Sequence, residues 1–577
     1  MRPLLRRTAL LVTMTACVGS HRDVPVKPQH ERGSGLVLGP DGEPVAGAIV
    51  NFNDPGTGKL IAGSVTGDDG RFMPTVPPGT YVVTAATVSG WYSSAGVEVS
   101  NAPLSISLGK DCLRYRGQVE NVANSEVGAT IHFKRITREF NEEFAIHAAK
   151  RNFEICLPPG DFTVFAAGDY LSVPQLVTEG STELSIHAFS RSTVLEPAPE
   201  SGVSRGLDPV RFVEQVPSTV SIVAIGESNH GTREFLELRH KITMQLVQAR
   251  GFRTLMIEAG FGETLALNRF IHGEAVDVRK AVELLGYWMW DTEEFLKVLD
   301  ALRSYNATVP AADRVNLWGL DVQHTAASVA VLTAVDDLSA AERGLIGKLG
   351  SERGAAWKTF SDADRTIVLE AIERLESNRS DHLRSLAARA LRQRLEATTM
   401  GFTAAILHRD VGMARMALAA ASVSSGGNVV VWAHNAHVAR EAIDGFPMMG
   451  HHIARSAGSA YFPIALYTAA GHARAWDERG AVGVVSHEIS TPSYRVERAL
   501  LDATDGRGGL LVGEALPGVL KRWLSVPRYA LEFGASFDST GHLRTALVAY
   551  SAFGIVPISS PTTPTPTGVR TATPPKP

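Results

Sequence analysis

The chain has 577 residues, too many for one hydrophobic core, and its 44% hydrophobic and 20% charged residues are the balance of ordinary globular protein. A formal net charge of −4, without a Lys/Arg stripe interleaved with aromatics, leaves no electrostatic footprint for a nucleic-acid partner. Beyond the N-terminus no apolar run is long enough to span a bilayer.

The first residues read as a targeting segment: Arg2, Arg6 and Arg7 precede an apolar stretch over 8–16, and Met14-Thr15-Ala16-Cys17 follows. This resembles a bacterial lipoprotein signal over 1–17, which implies lipidation of Cys17 and membrane contact through it. A plain secretory signal is the alternative, and both export the protein. Val18 after Cys17 resembles lipoproteins sent to the outer membrane, so the expected location is the cell envelope. Residues 18–33 form a polar tether. Cys112 and Cys156 are the remaining cysteines, and in an oxidising compartment such a pair can bridge.

An internal repeat follows. Ala48-Ile49-Val50-Asn51-Phe52 is echoed by Ala129-Thr130-Ile131-His132-Phe133, and Phe72 with Pro77-Pro78-Gly79-Thr80-Tyr81 by Phe153 with Pro158-Pro159-Gly160-Asp161-Phe162, at an offset of 81 residues. Short alternating runs between Gly/Pro/Asp turns predict two small all-β sandwich modules, over 34–109 and 110–186. Gly35-Leu36-Val37, Asp41-Gly42-Glu43-Pro44-Val45, Asp69-Gly70-Arg71-Phe72 and Gly79-Thr80-Tyr81 resemble a carboxypeptidase regulatory-like domain, and the second copy matches it more weakly. That resemblance implies a spacer or a glycan-contacting module. A Ser/Pro/Glu-rich linker is expected over 187–205.

The main domain opens with the most informative stretch. Ile222 to Ile225 is an apolar β-rich run ending in Gly226; a polar turn leads into an amphipathic helix over 232–250, closed by Gly251, and a second strand over 254–257. In a parallel α/β sheet, ligands bind beyond the carboxyl ends of strands, where Glu227, His230 and Glu258 fall. Arg239 lies on the same helical stripe as Phe235, Ile242 and Leu246, so its guanidinium either pairs with Glu227 and Glu258 or snorkels to the rim. Further strand-like runs end at Asp321 and at His434-Asn435-Ala436-His437. Four strand ends rich in acids and histidines predict one cleft. Tyr287-Trp288-Met289-Trp290 either lines an apolar pocket or packs a helix, and 326–425 reads as a helical insertion capping the sheet. The fold class is α/β with a mainly parallel sheet over 206–556, and 557–577 is a Pro/Thr-rich tail expected to be disordered.

Gly226-Glu227-Ser228-Asn229-His230-Gly231, Glu234-Phe235, Arg239, Ile257-Glu258, Tyr287-Trp288-Met289-Trp290, Arg409-Asp410 with Met413-Ala414, and Trp432-Ala433-His434-Asn435-Ala436-His437-Val438 together resemble the erythromycin esterase family. The resemblance implies hydrolysis of a macrolactone ester with His230 as base, and Glu227, Glu258, Arg239 and His437 completing the catalytic set. Trp288, Trp290, Asp321, His434 and Arg409 are the residues expected to bind a small-molecule ester, with no metal and no cofactor. Ser228-Asn229 and His451-His452 depart from the family pattern.

Ester hydrolysis needs an activated water and a home for the oxyanion. A histidine ordinarily titrates nearest neutrality and suits the first task, while Arg239 or His437 suits the second. Two other chemistries use the same residues. A Ser228 nucleophile would sit in a Gly-x-Ser-x-Gly elbow, but position five is His230. A metal hydrolase could use Glu227, His230, His434 and His437, at a spacing that matches no zinc signature. A third reading is a surface protein that binds glycan or polyketide without turnover.

Overall fold

A computed structural model describes residues 34–556, apart from 56–59, 74–75, 88–91, 101, 110–111, 121–128, 137–140, 149–150, 180, 201–205, 335–336, 351, 379, 444, 477–482 and 538–541, together with Pro566. The signal, Cys17, the tether and nearly all of the tail lie outside the described residues.

Two β modules come first, and the repeat in the sequence is a repeat of topology. In the first, Gly35–Leu38 pairs antiparallel with Arg71–Phe72 and parallel with Leu104–Ser107; in the second, Leu113–Glu120 pairs antiparallel with Asn152–Leu157 and parallel with Glu183–Ser190. Facing them are four-stranded sheets centred on Ile49–Asn53 and Ala129–Ile136. A glycine recurs where the parallel pair comes closest: a Cβ on Gly35 would strike the Leu104 carbonyl and the Phe72 ring, and one on Gly117 the Leu184 carbonyl and the Phe153 ring. Cys112 and Cys156 are disulfide-bonded, with Cα atoms 5.6 Å apart.

The modules are docked against their neighbours. Asn53 and Thr84 of the first donate to the Glu143 carbonyl of the second, at 3.2 and 2.9 Å. The linker expected from 187 begins later, because Glu183–Ser190 continues as a strand through that point and a helical turn, Arg191–Val194, follows. The main domain grips this connector. Buried Arg528 donates to the carbonyls of Thr193 and Val194, and Trp523 Nε1 donates to the Glu196 carbonyl at 3.1 Å.

The main domain is built on a seven-stranded sheet. Its order is Asn316–Asp321, Thr254–Gly260, Val429–Trp432, Ile222–Ile225, Tyr461–Thr468, Ala552–Val556 and Gly509–Val512, with all neighbours parallel except the last pair. Its strands are apolar on both faces because helices cover both. Ile222 and Ala224 face one core, with the helices that follow Asp321, while Val223 and Ile225 face the other, with Phe235, Ile242 and Leu246.

The helix Arg233–Arg250 ends on Gly251 in the left-handed region (φ 69°), as a C-terminal glycine should. The second strand runs three residues further than its apolar run predicts, to Gly260, with a register shift between Ile257 and Gly260. Glu258 therefore sits in the irregular stretch, the kind of kink that re-aims a side chain. From Ala326 to Val423 the described chain is helical, and its last helix, Phe402–Val423, returns to the sheet edge carrying Arg409 and Asp410. No helix among the described residues is long and apolar enough to cross a membrane.

Candidate active site

Two ionic clusters stand side by side over the carboxyl ends of the strands. The first grows from the turn after Ile225. Gly226 has no room for a side chain, since a Cβ would strike Asn435, and Asn229 Oδ1 accepts from Gly231 N (3.1 Å) and Thr232 Oγ1 (2.8 Å), folding the turn back on itself. That places His230 Nδ1 2.8 Å from Glu227 Oε1. The second oxygen of Glu227 meets Arg239 Nη1 at 2.9 Å. Arg239 is 0% exposed, and it also donates to the carbonyls of Gly226 (3.3 Å) and Ala433 (2.5 Å). Burial pulls its pKa down, and Glu227 and then Glu258 oppose that pull. The expected pairing with both glutamates is corrected in one respect: only Glu227 is in contact, and Glu258 has another partner.

That partner is Arg409, whose Nη2 lies 2.9 Å from Glu258 Oε1 and 2.9 Å from Asp321 Oδ2, while its Nε donates to Asp321 Oδ1 at 3.0 Å. Asp321 also accepts from the Tyr287 hydroxyl (2.9 Å). His437 completes this cluster, with Nδ1 2.6 Å from Asp410 Oδ1 and Nε2 3.4 Å from Glu258 Oε1. Burial works against charge on His437, but Asp410 and Glu258 outweigh it and raise its pKa. Burial likewise opposes charge on Glu258, and His437, Arg409 and His230 reverse the effect, so its pKa falls. The two shifts both favour the charged forms of His437 and Glu258.

His434 joins the clusters. Its backbone N donates to Glu258 Oε2 (3.2 Å), its Nδ1 accepts from Ala436 N (3.2 Å) and its Nε2 is 3.1 Å from the Ser228 carbonyl. These partners assign one neutral tautomer and occupy both nitrogens, so His434 braces the His230 turn and does not present itself to a substrate.

Two other expected substrate contacts are corrected. Trp290 is 1% exposed, packs on Phe295 and donates Nε1 to the Glu258 carbonyl (3.1 Å), which makes it a support behind the glutamate. Asp321 is fully buried and spends its oxygens on Arg409, Tyr287 and Gln323, so it orients Arg409. Trp288 stays half-buried with the Arg474 guanidinium over its ring at 5.7 Å, and Arg409 remains partly exposed.

Sequence reasoning quoted Asp410 beside Arg409 without giving it a role, and it missed Arg474 and the strand pair that carries Arg474. Ala470–Trp476 and Val484–Ser490 form this pair, and Arg474 N donates to the carbonyl of Gly231, directly after His230. Among the described residues no group of three or more His, Cys, Asp or Glu is arranged to hold a metal ion.

Because the folded pKa of His437 is raised above its ordinary value of about 6.5, its pairing stabilises the fold fully below pH ~6.5 and fades as pH rises through the folded pKa. Asp410→Asn should therefore cost more stability at pH 6 than at pH 9, on the order of 1–3 kcal/mol at the lower pH. Denaturant unfolding at both values checks this, and an equal loss at both would contradict the assignment.

Comparison with known proteins identifies the family. The erythromycin esterase family model matches residues 247–551. A segment of 121 residues is 28% identical to an erythromycin esterase type II of Escherichia coli, covering 21% of this chain and 28% of that protein. In fold, the chain resembles a succinoglycan biosynthesis protein (TM-score 0.55, 19% identity, 65% of this chain and 97% of that one). It also resembles a Bacillus cereus protein (TM-score 0.52, 19% identity, 63% and 95%). With more than half of its length matched by the family, the chain belongs to the erythromycin esterase family.

Proposed function

We propose that the main domain hydrolyses a carboxylic ester, a macrolactone or related polyketide ester, by water attack with His230 as general base. The observation that carries this reading is the chain Arg239–Glu227–His230: the arginine fixes the carboxylate, the carboxylate holds Nδ1, and Nε2 has no hydrogen-bond partner among the described residues. A carboxylate on Nδ1 fixes the tautomer in which Nε2 can accept a proton. Water forms the new C–O bond and gives its proton to His230 Nε2. Arg409 and protonated His437 stabilise the oxyanion, and the alkoxide leaves with the proton of His437 Nε2, giving acid and alcohol; solvent then takes the proton from His230 and returns one to His437, which restores the site. Family membership and the E. coli relative support ester hydrolysis. The serine alternative is disfavoured because His230 stands where the Gly-x-Ser-x-Gly elbow needs glycine.

The proposal extends to location. Cys17 and the basic, apolar segment before it support a lipid-anchored protein of the outer membrane, with the docked β modules as a rigid spacer. Cys17→Ala should move the protein from the membrane fraction to the soluble one on fractionation; unchanged membrane association would contradict the anchor.

Product analysis by mass spectrometry against macrolides and simple esters identifies the substrate, and activity should survive exhaustive chelation. On that substrate His230→Ala should lose about 10²- to 10⁴-fold in rate with an unaltered fold. Arg239→Met should lose activity and also about 3–5 kcal/mol of stability, because Glu227 is left buried without its counter-charge. Circular dichroism and denaturant unfolding must accompany both assays. Near-normal turnover by folded His230→Ala, or loss on chelation restored by one metal, would overturn the mechanism.

A further inference from the structure

The segment 531–535 is held in place by hydrogen bonds to separate parts of the domain. Leu531 N donates to Glu497 Oε1 at 3.2 Å, and Glu532 Oε1 accepts from the Tyr467 hydroxyl at 2.7 Å. Phe533 N donates to the Ser228 carbonyl at 2.8 Å, the same carbonyl that His434 approaches, and the Ala535 carbonyl accepts from Trp476 N at 2.8 Å. One edge of the segment is therefore fastened to the His230 turn and the other to the strand pair that carries Arg474.

Between these anchors, Gly534 faces the base. A Cβ built on Gly534 would lie 3.6 Å from His230 Nε2 and 3.9 Å from its Cδ2, with no other heavy atom of the described residues beyond its chain neighbours within 4 Å. Gly534 is not among the glycines with positive φ, so its backbone conformation does not call for glycine. The missing side chain is explained by neither strain nor a tight contact with the protein. What it preserves, among the described residues, is space beside His230 Nε2, the nitrogen of that ring with no hydrogen-bond partner among them.

A hydrogen-bonded water oxygen sits about 2.7–3.2 Å from such a nitrogen. A methyl carbon 3.6 Å from Nε2 would be in van der Waals contact with that nitrogen and narrow the approach of such a water. We propose that Gly534 is a positioning residue that keeps open the seat of the attacking water beside His230 Nε2. The inference rests on His230 being the base. It adds that the segment 531–535, which carries no acid or base for the reaction, sets where the nucleophile stands.

Gly534→Ala tests it, with kcat, KM, melting temperature and the His230 NMR titration measured on the same preparation. The expected result is a kcat lowered at least tenfold, KM within about threefold, an unchanged His230 titration and a melting temperature close to that of the parent. A folded Gly534→Ala with kcat within twofold of the parent overturns the proposal, and so does a variant that fails to fold, because the volume would then be packed and not open. The parallel His230→Ala assay separates the two claims. An inactive His230→Ala beside a fully active Gly534→Ala removes only the water seat, whereas an active His230→Ala removes the base reading itself.

Discussion

Complete burial of the Arg239 guanidinium is the constraint on which the rest of the main domain depends. A cation in that position must find a carboxylate and further acceptors, because the desolvation cost exceeds what one contact returns. Glu227 supplies the charge, and the carbonyls of Gly226 and Ala433 supply the remaining acceptors. Gly226 and Ala433 follow two adjacent parallel strands, Ile222–Ile225 and Val429–Trp432, so the same guanidinium that neutralises Glu227 also ties their ends together. The His230 turn thereby inherits its position from the core.

The second cluster solves a different electrostatic problem. Glu258, Asp321 and Asp410 bring three carboxylates to one place, against Arg409 and His437. Arg409 serves two of the three carboxylates, and His437 stands between Asp410 and Glu258, which favours its charged form. One histidine thus has a second nitrogen without a partner among the described residues, while the surroundings of the other favour its charged form. His434 and Trp290 act on the backbone of this arrangement, through the Ser228 and Glu258 carbonyls, and their burial follows from that task.

How legible this was in the sequence depended on whether a feature was local. The strand, turn and helix of 222–250 could be read because an apolar run, a turn-forming Asn229 and a terminal Gly251 each act within a few residues. Arg239 announced its burial through its place on the Phe235/Ile242 stripe, but the pattern could not say which glutamate would face it. The repeat of the β modules was visible as repeated segments, and the shared parallel pairing explains why a glycine recurs in both. Asp410 could be quoted as part of a motif but not given a role, because it arrives on Phe402–Val423, whose sequence describes only a helix, and its meaning comes from His437 beyond the next strand. Trp290 and Asp321 were misplaced for the same reason: residue type suggested ligand contact, and only the packed structure shows their polar atoms already taken.

In the proposed mechanism Glu227, fixed by Arg239, sets the tautomer and orientation of His230 so that it can activate water. Glu227→Gln preserves the shape of that side chain and removes its charge, so the most direct measurement is kcat on an identified ester substrate for this variant, beside circular dichroism to establish the fold. The account predicts a loss of about 10³- to 10⁴-fold, the scale seen when a histidine base loses its orienting carboxylate. A folded Glu227→Gln that turns over within a few-fold of the parent would contradict it.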